Sequence, residues 1–135
     1  MCRMIAARGG FDPDTLFRAC QLMSCGYSAE HEVQGKPHPD GWGAMWTDAR
    51  DGVQTHRSLS HVRDDAPPQY QGKPSFLAFH AREATFKVKA GLTFTHPLKA
   101  DGERYLMHNG YLPTVHKKLG MAASEFDSAE YFSFL

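Results

Sequence analysis

Apolar and polar positions along the chain alternate in short blocks punctuated by Gly, Pro and Asp, and the blocks change period several times. Cys2 to Ala7 alternates weakly and runs into Arg8-Gly9-Gly10, which predicts a short first strand closed by a turn. Asp12-Pro13-Asp14 then supplies a helix cap and a first-turn proline. Apolar positions at Leu16, Phe17, Cys20 and Met23 continue with helical spacing, and Gly26 is the stop. Residues 28 to 41 are polar and rich in His, Pro and Gly, the composition of a loop. Gly43–Thr47 and Val53–Ser58 read as two strands around an Asp48-to-Gly52 turn. The stretch 57 to 66 is ambiguous, and Pro67-Pro68 ends it. Ser75–Arg82 has the composition of a buried strand, and Tyr105–His108 predicts another strand leading into Asn109-Gly110. Asp127–Leu135 starts as a helix and stops on apolar residues, an ending that predicts a fragment or a domain completed by a partner.

Composition narrows the function classes. The 135 residues suffice for one domain with a core, and 41% hydrophobic with 22% charged content is ordinary for a globular protein. Fifteen basic residues balance fifteen acidic ones, so the charge pattern favours neither nucleic acid nor an anionic membrane. No stretch approaches the ~18 apolar residues of a membrane span, and the N-terminus lacks the apolar core of a secretory signal. The expected location is cytoplasmic. Three cysteines without C-x-x-C spacing suit neither a zinc ribbon nor a redox pair, so Cys20 and Cys25 read as small buried residues. Eight histidines show no H-E-x-x-H or similar ligand pair, and neither metal nor cofactor is expected.

The candidate chemistry begins at Cys2. Removal of Met1, as is usual before a small residue, would put a thiol and an α-amine on one residue. Their ordinary pKa values of about 8.5 and about 7.7–8.0 let the amine take the thiol proton. Nucleophile and general base would then need no His or Asp partner. Gly41-Trp42-Gly43 follows the polar loop and precedes a strand, where Gly permits tight turns or close backbone approach to a ligand. The alternative there is a plain turn with Trp42 in the core. Arg82 emerges from an apolar strand with Thr85 three residues on, a pairing suited to gripping a carboxylate. A structural ion pair is the other reading. Asn109-Gly110 is either a hairpin turn or an oxyanion hole made by a side-chain amide and a backbone N–H. His96, in Thr95-His96-Pro97-Leu98, reads as a hydrogen-bonded structural histidine, and Asp127 as a helix cap.

In this order the blocks resemble class II glutamine amidotransferase domains, members of the N-terminal-nucleophile hydrolases. The resemblance runs from Cys2 to about Phe132. The Asp-Gly-Trp-Gly wording looks most like the small stand-alone branch that includes γ-glutamyl amidohydrolases. It implies an α+β fold, an αββα four-layer sandwich with antiparallel sheets, expected here to be incomplete at the C-terminus, with residues 1–135 as its N-terminal part. It further implies Cys2 as the nucleophile and Asn109 with Gly110 as the oxyanion hole. Arg82 and Thr85 would bind the α-carboxylate of glutamine, and Asp127 its α-ammonium. Gly41, Trp42 and Gly43 would line the pocket. Family members usually follow Asp-Ser with Glu, where this chain has Ala129. The implied reaction releases ammonia from glutamine through a γ-glutamyl thioester, with a synthase partner or second chain as its receiver. Hydrolysis of the γ-glutamyl amide of a larger metabolite, or a non-catalytic amino-acid-binding remnant, are the alternatives.

Overall fold

The computed structural model describes residues 2–27, 35–48, 52–84, 90–110, 112, 114–123 and 126–135. The chain folds as a mixed α+β structure with antiparallel sheets. β1 (Arg3–Arg8), β2 (Trp42–Asp48), β3 (Gly52–Ser58) and β4 (Phe76–Ala81) form a four-stranded sheet in the order β1-β4-β2-β3. β5 (Leu98–Ala100) and β6 (Arg104–Leu106) form a two-stranded antiparallel pair. Three helices accompany them among the described residues: α1 (Pro13–Ser24), the short α2 (Val115–Lys118) and α3 (Asp127–Phe134). No described helix is long and apolar enough to cross a membrane.

α1 starts where its cap and proline place it. The Asp12 carboxylate accepts the Thr15 N–H at 3.1 Å and the Thr15 hydroxyl as well, satisfying a donor that the first turn cannot pair internally. Past its end, Gly26 adopts φ +86°, the left-handed region that side chains avoid, and its amide hydrogen bonds to Met23. The face of α1 carrying Phe17 and Cys20 packs on one side of the sheet, against Trp42, Ala44 and Trp46 of β2 and Leu77, Phe79 and Ala81 of β4. These positions are two apart in each strand, and the registers Ala44↔Phe79 and Ile5↔Phe79 place them on one face. Trp42, Phe79 and Leu77 are fully buried there.

The opposite face is covered differently. Ala78, His80 and Arg82 alternate with the apolar set along β4 and point to this second side, where residues 91–98 and α3 lie. Gly43 makes the approach possible: a Cβ there would overlap the His96 carbonyl oxygen and meet the His56 carbonyl oxygen at 2.9 Å. Arg57 of β3 holds the covering segment, donating to the Leu92 carbonyl at 3.1 Å.

The short β5 and α2 and the 3-10 turns Val62–Asp64 and Leu92–Phe94 add to the elements anticipated from the sequence, and the strand expected over Tyr105–His108 is found at Arg104–Leu106.

Candidate functional site

Strand register sets the centre of the site. Arg3 and Trp42 both pair with Ala81, one on each side of the central strand β4. The next residues outward are Cys2, Gly41 and Arg82, so three strand ends meet at one place. The Arg82 N–H donates to the Gly41 carbonyl at 2.9 Å, and the Asp40 N–H donates to the Arg82 carbonyl at 3.1 Å. On the other side, the Cys2 thiol lies 3.7 Å from the Glu83 carbonyl oxygen, its acceptor. The structure thus brings Cys2 and Arg82 together although 80 positions separate them in the chain.

Burial governs the charges here. Arg82 is 7% exposed, and burial draws its pKa down, while the nearby Cys2 and Asp40 work in the opposite direction. The half-buried Cys2 thiol is pushed up by burial, with the Arg82 charge opposing. Cys2 at rest is therefore a thiol beside a cation, and it would have to lose a proton to act as a nucleophile.

A cavity of about 200 Å³ opens beside Arg82, lined also by Pro39, Asp40, Leu59, Ala84 and Gly91. Cys2 is not among its lining residues. Asp40 knits its wall: its Oδ2 accepts the Ala84 N–H at 2.8 Å, and its carbonyl accepts from Arg82 Nη1 at 3.2 Å. Nearby, His38 Nε2 lies 3.8 Å from Glu83 Oε2. Thr85, expected to share the carboxylate with Arg82, lies outside the described residues, as does Met1.

Asn109 and Gly110 are exposed. The backbone just before them is tethered to the same strand that carries Arg82. His80 Nε2 lies 3.1 Å from the His108 carbonyl oxygen, and because a carbonyl only accepts, the ring nitrogen carries the proton. His108 Nδ1 in turn lies 3.0 Å from Ser128 Oγ at the start of α3. Burial drives the His80 pKa down to about 4, so the ring is neutral at physiological pH and keeps this single donor orientation.

Several expectations from the sequence change. Trp42 does not line the cavity: it is 0% exposed in the core facing α1, its indole N–H donating to Asp65 at 2.7 Å. Gly41 and Gly43 serve close approaches of the chain to itself, by Ser58 and by His96, and neither is among the cavity-lining residues. His96 is not a hydrogen-bonded histidine. It is 4% exposed, and both ring nitrogens lack a hydrogen-bond partner among the described residues. Its ring lies 4.6 Å from that of His80 and 5.4 Å from Phe126. Burial, then the neighbouring His80, His108 and Arg82, takes its pKa down to about 3.

Asp127 is the first residue of α3 rather than its cap, which is Phe126. Its carboxylate accepts the Leu112 N–H at 2.5 Å and the Ser128 N–H at 2.9 Å, tying α3 to the chain just beyond Gly110. Cys20 is buried as expected, whereas Cys25 is half-buried at the end of α1.

Sequence reasoning passed over Asp40, His80 and Ser128. Asp40 stands directly before Gly41, and strand alternation alone puts His80 on the face of Arg82. No signal in the sequence marks Ser128 as the partner of His108. No group of three His, Cys, Asp or Glu side chains among the described residues is arranged to hold a metal ion. No protein-family model matches the chain, and no curated protein matches it either.

Proposed function

We propose that the chain is a glutaminase-type amidohydrolase domain of the class II amidotransferase kind, with Cys2 attacking the side-chain amide of glutamine. The observation that carries this reading is the meeting of Cys2 and Arg82 at adjacent strand ends beside a cavity. A nucleophile and a buried guanidinium held by backbone suit an amide substrate that also bears a carboxylate. A helix packed on an antiparallel four-stranded sheet, with a second antiparallel pair in the same α+β chain, is compatible with an N-terminal-nucleophile sandwich. A cytoplasmic setting would keep the thiol reduced.

In the proposed reaction the α-amine of a processed Cys2 takes the thiol proton. The thiolate forms a bond to the amide carbon, and the carbonyl π electrons move to oxygen. Asn109 and the Gly110 N–H receive that negative oxygen. As the intermediate collapses, the C–N bond breaks and the protonated amine returns its proton to the departing nitrogen, which leaves as ammonia. Water then adds to the γ-glutamyl thioester, giving up its proton to the amine, and the C–S bond breaks to release glutamate and the thiol. Arg82, with Thr85, binds the α-carboxylate, and Asp127 takes the α-ammonium. Because burial raises the thiol pKa, the step depends on the base.

Ammonia release from glutamine by the purified chain tests this directly. Cys2→Ser is expected to lose nearly all activity, since an alcohol is a far poorer nucleophile at neutral pH. Equal release by the two proteins would exclude Cys2 as the nucleophile.

A further inference from the structure

Asp40 has no part in the reaction just described, yet its backbone and its side chain both bond to the stretch from Arg82 to Ala84. Its backbone N–H donates to the Arg82 carbonyl at 3.1 Å. Its carbonyl accepts from the Arg82 guanidinium at 3.2 Å. Its carboxylate accepts the Ala84 N–H at 2.8 Å. The first two bonds come from the Asp40 backbone and would survive any side-chain change. The third is a side-chain bond, and it fixes the chain where β4 has ended and no ladder partner remains.

We infer that Asp40 is the positioning residue of the amino-acid site: its carboxylate clamps residues 82–84 so that Arg82 presents its guanidinium to a substrate carboxylate. This rests on the amidohydrolase reading and assigns its substrate recognition to a fixed backbone. Glu83 lies inside the clamped stretch and supplies the carbonyl against which Cys2 rests, so one side chain sets both the carboxylate site and the wall beside the nucleophile. The guanidinium is held through the Asp40 carbonyl, while one carboxylate oxygen is engaged by the Ala84 N–H. The feature that matters is therefore an acceptor of the right reach. Asn has it, Ala lacks it, and Glu places it one methylene further out.

The test compares two electrophiles on the purified full chain. Diazo-oxo-norleucine carries the α-amino-acid head of glutamine, and iodoacetamide is a small neutral alkylator that needs no carboxylate site. Rates of Cys2 modification are followed by peptide mass spectrometry, and the ratio of the two rates measures selectivity for the amino-acid head. Asp40→Ala and Asp40→Glu are expected to lower this ratio roughly 10–100-fold, the scale of a misplaced binding group, with iodoacetamide rates changed less than about 3-fold. Asp40→Asn is expected to recover most of the ratio, which a loss of charge alone would not do. Circular dichroism melting identifies any variant that fails to fold, and the remaining variants decide.

Three results would overturn the inference. If wild-type Cys2 reacts with iodoacetamide but not with diazo-oxo-norleucine, the amidohydrolase reading fails and this inference fails with it. If wild type reacts with both and folded Asp40→Ala or Asp40→Glu keeps the wild-type ratio, the reading stands and Asp40 is not its positioning residue. If Asp40→Asn falls as far as Asp40→Ala, the carboxylate acts through its charge and the clamp is wrong.

Discussion

On one face of the four-stranded sheet the buried groups include Phe17, Trp42, Leu77 and Phe79; on the other His80, Arg82, His96 and Ser128 are buried alongside Ala78, Leu98 and Phe132. β4 supplies both sets, Leu77 and Phe79 to the first and His80 to the second, one residue out of phase. Toward α1 the chain buries aromatic and aliphatic surface, whose removal from water stabilises without demanding partners. Toward residues 91–98 and α3 it buries polar groups as well as apolar ones, and each polar group costs free energy unless paired. Some are paired, as His80 is with the His108 carbonyl, and His96 has no ring partner among the described residues. A face arranged for stability alone would not carry this cost. The contrast separates the more apolar side of the sheet from the side that carries the polar groups of the proposed site.

The sharpest way to break the contrast is to empty the first face. Phe79→Ala should cost about 3–5 kcal/mol of stability, because a fully buried ring is removed from a packed cluster. Urea unfolding followed by tryptophan fluorescence measures it. A cost below about 1 kcal/mol would show that this face is not the main support.

On the second face the corresponding loss should fall on rate. Asn109→Ala is expected to lower kcat by ~10²–10³ while leaving the melting temperature near that of wild type, since Asn109 is exposed. An unchanged kcat would remove Asn109 from the oxyanion site.

Acid should attack the second face first. His80 and His96 have folded-state pKa values of about 4 and about 3, below the ordinary 6.5, and the rings and charges facing them are His108 and Arg82. As pH falls below 6.5 the unfolded chain takes up protons at both rings before the folded chain does. Stability is therefore fully present above 6.5, declines as pH drops, and has been lost from these groups by about pH 3. His80 alone should account for a decline on the order of 3 kcal/mol. Equilibrium unfolding from pH 7 to pH 4, repeated with His96→Phe, checks this: the variant should show the shallower slope.

The smallest effect should come from Gly43→Ala. Its Cβ would press on the carbonyl oxygens of His96 and His56, so the covering segment must shift, at about 1–3 kcal/mol. Thermal melting measures the cost, and an unperturbed melt would show that the two layers are not in tight contact at that point.

How much of this could be read from the sequence depended on distance along the chain. α1 was legible because its cap, its proline and the Leu16-Phe17-Cys20 spacing all lie within one segment. β2, β3 and β4 were legible as runs long enough to show a period. β5 has three residues and α2 four, too few for any period to register. At the site, Cys2 and Arg82 stood out by residue type, and their adjacency followed only from the pairing of β1 with β4. Trp42 misled for a related reason. The glycines around it do admit a close approach, but the approaching backbone belongs to Ser58 and His96 of the same chain. The isolation of His96 was equally invisible, because it depends on Gly43, His80 and Phe126, none of them close to it in sequence.

The shared pairing of Arg3 and Trp42 with Ala81 acts as a ruler. Neighbouring strands in a sheet lie about 4.8 Å apart, a spacing set by backbone hydrogen bonds and indifferent to side chains. Cys2 and Arg82 directly adjoin that graduation at the ends of adjacent strands, so the span from the proposed nucleophile to the proposed carboxylate holder is a property of the ladder. Substitutions in the surrounding loops can close or widen the cavity, but they leave the graduation where it is. Only a slip of register would move it, and such a slip would turn the core-facing apolar side of β1 or β4 outward. A change in the length of the preferred substrate would therefore have to come from loops such as 36–41 or 90–96, with the strand ends left in place.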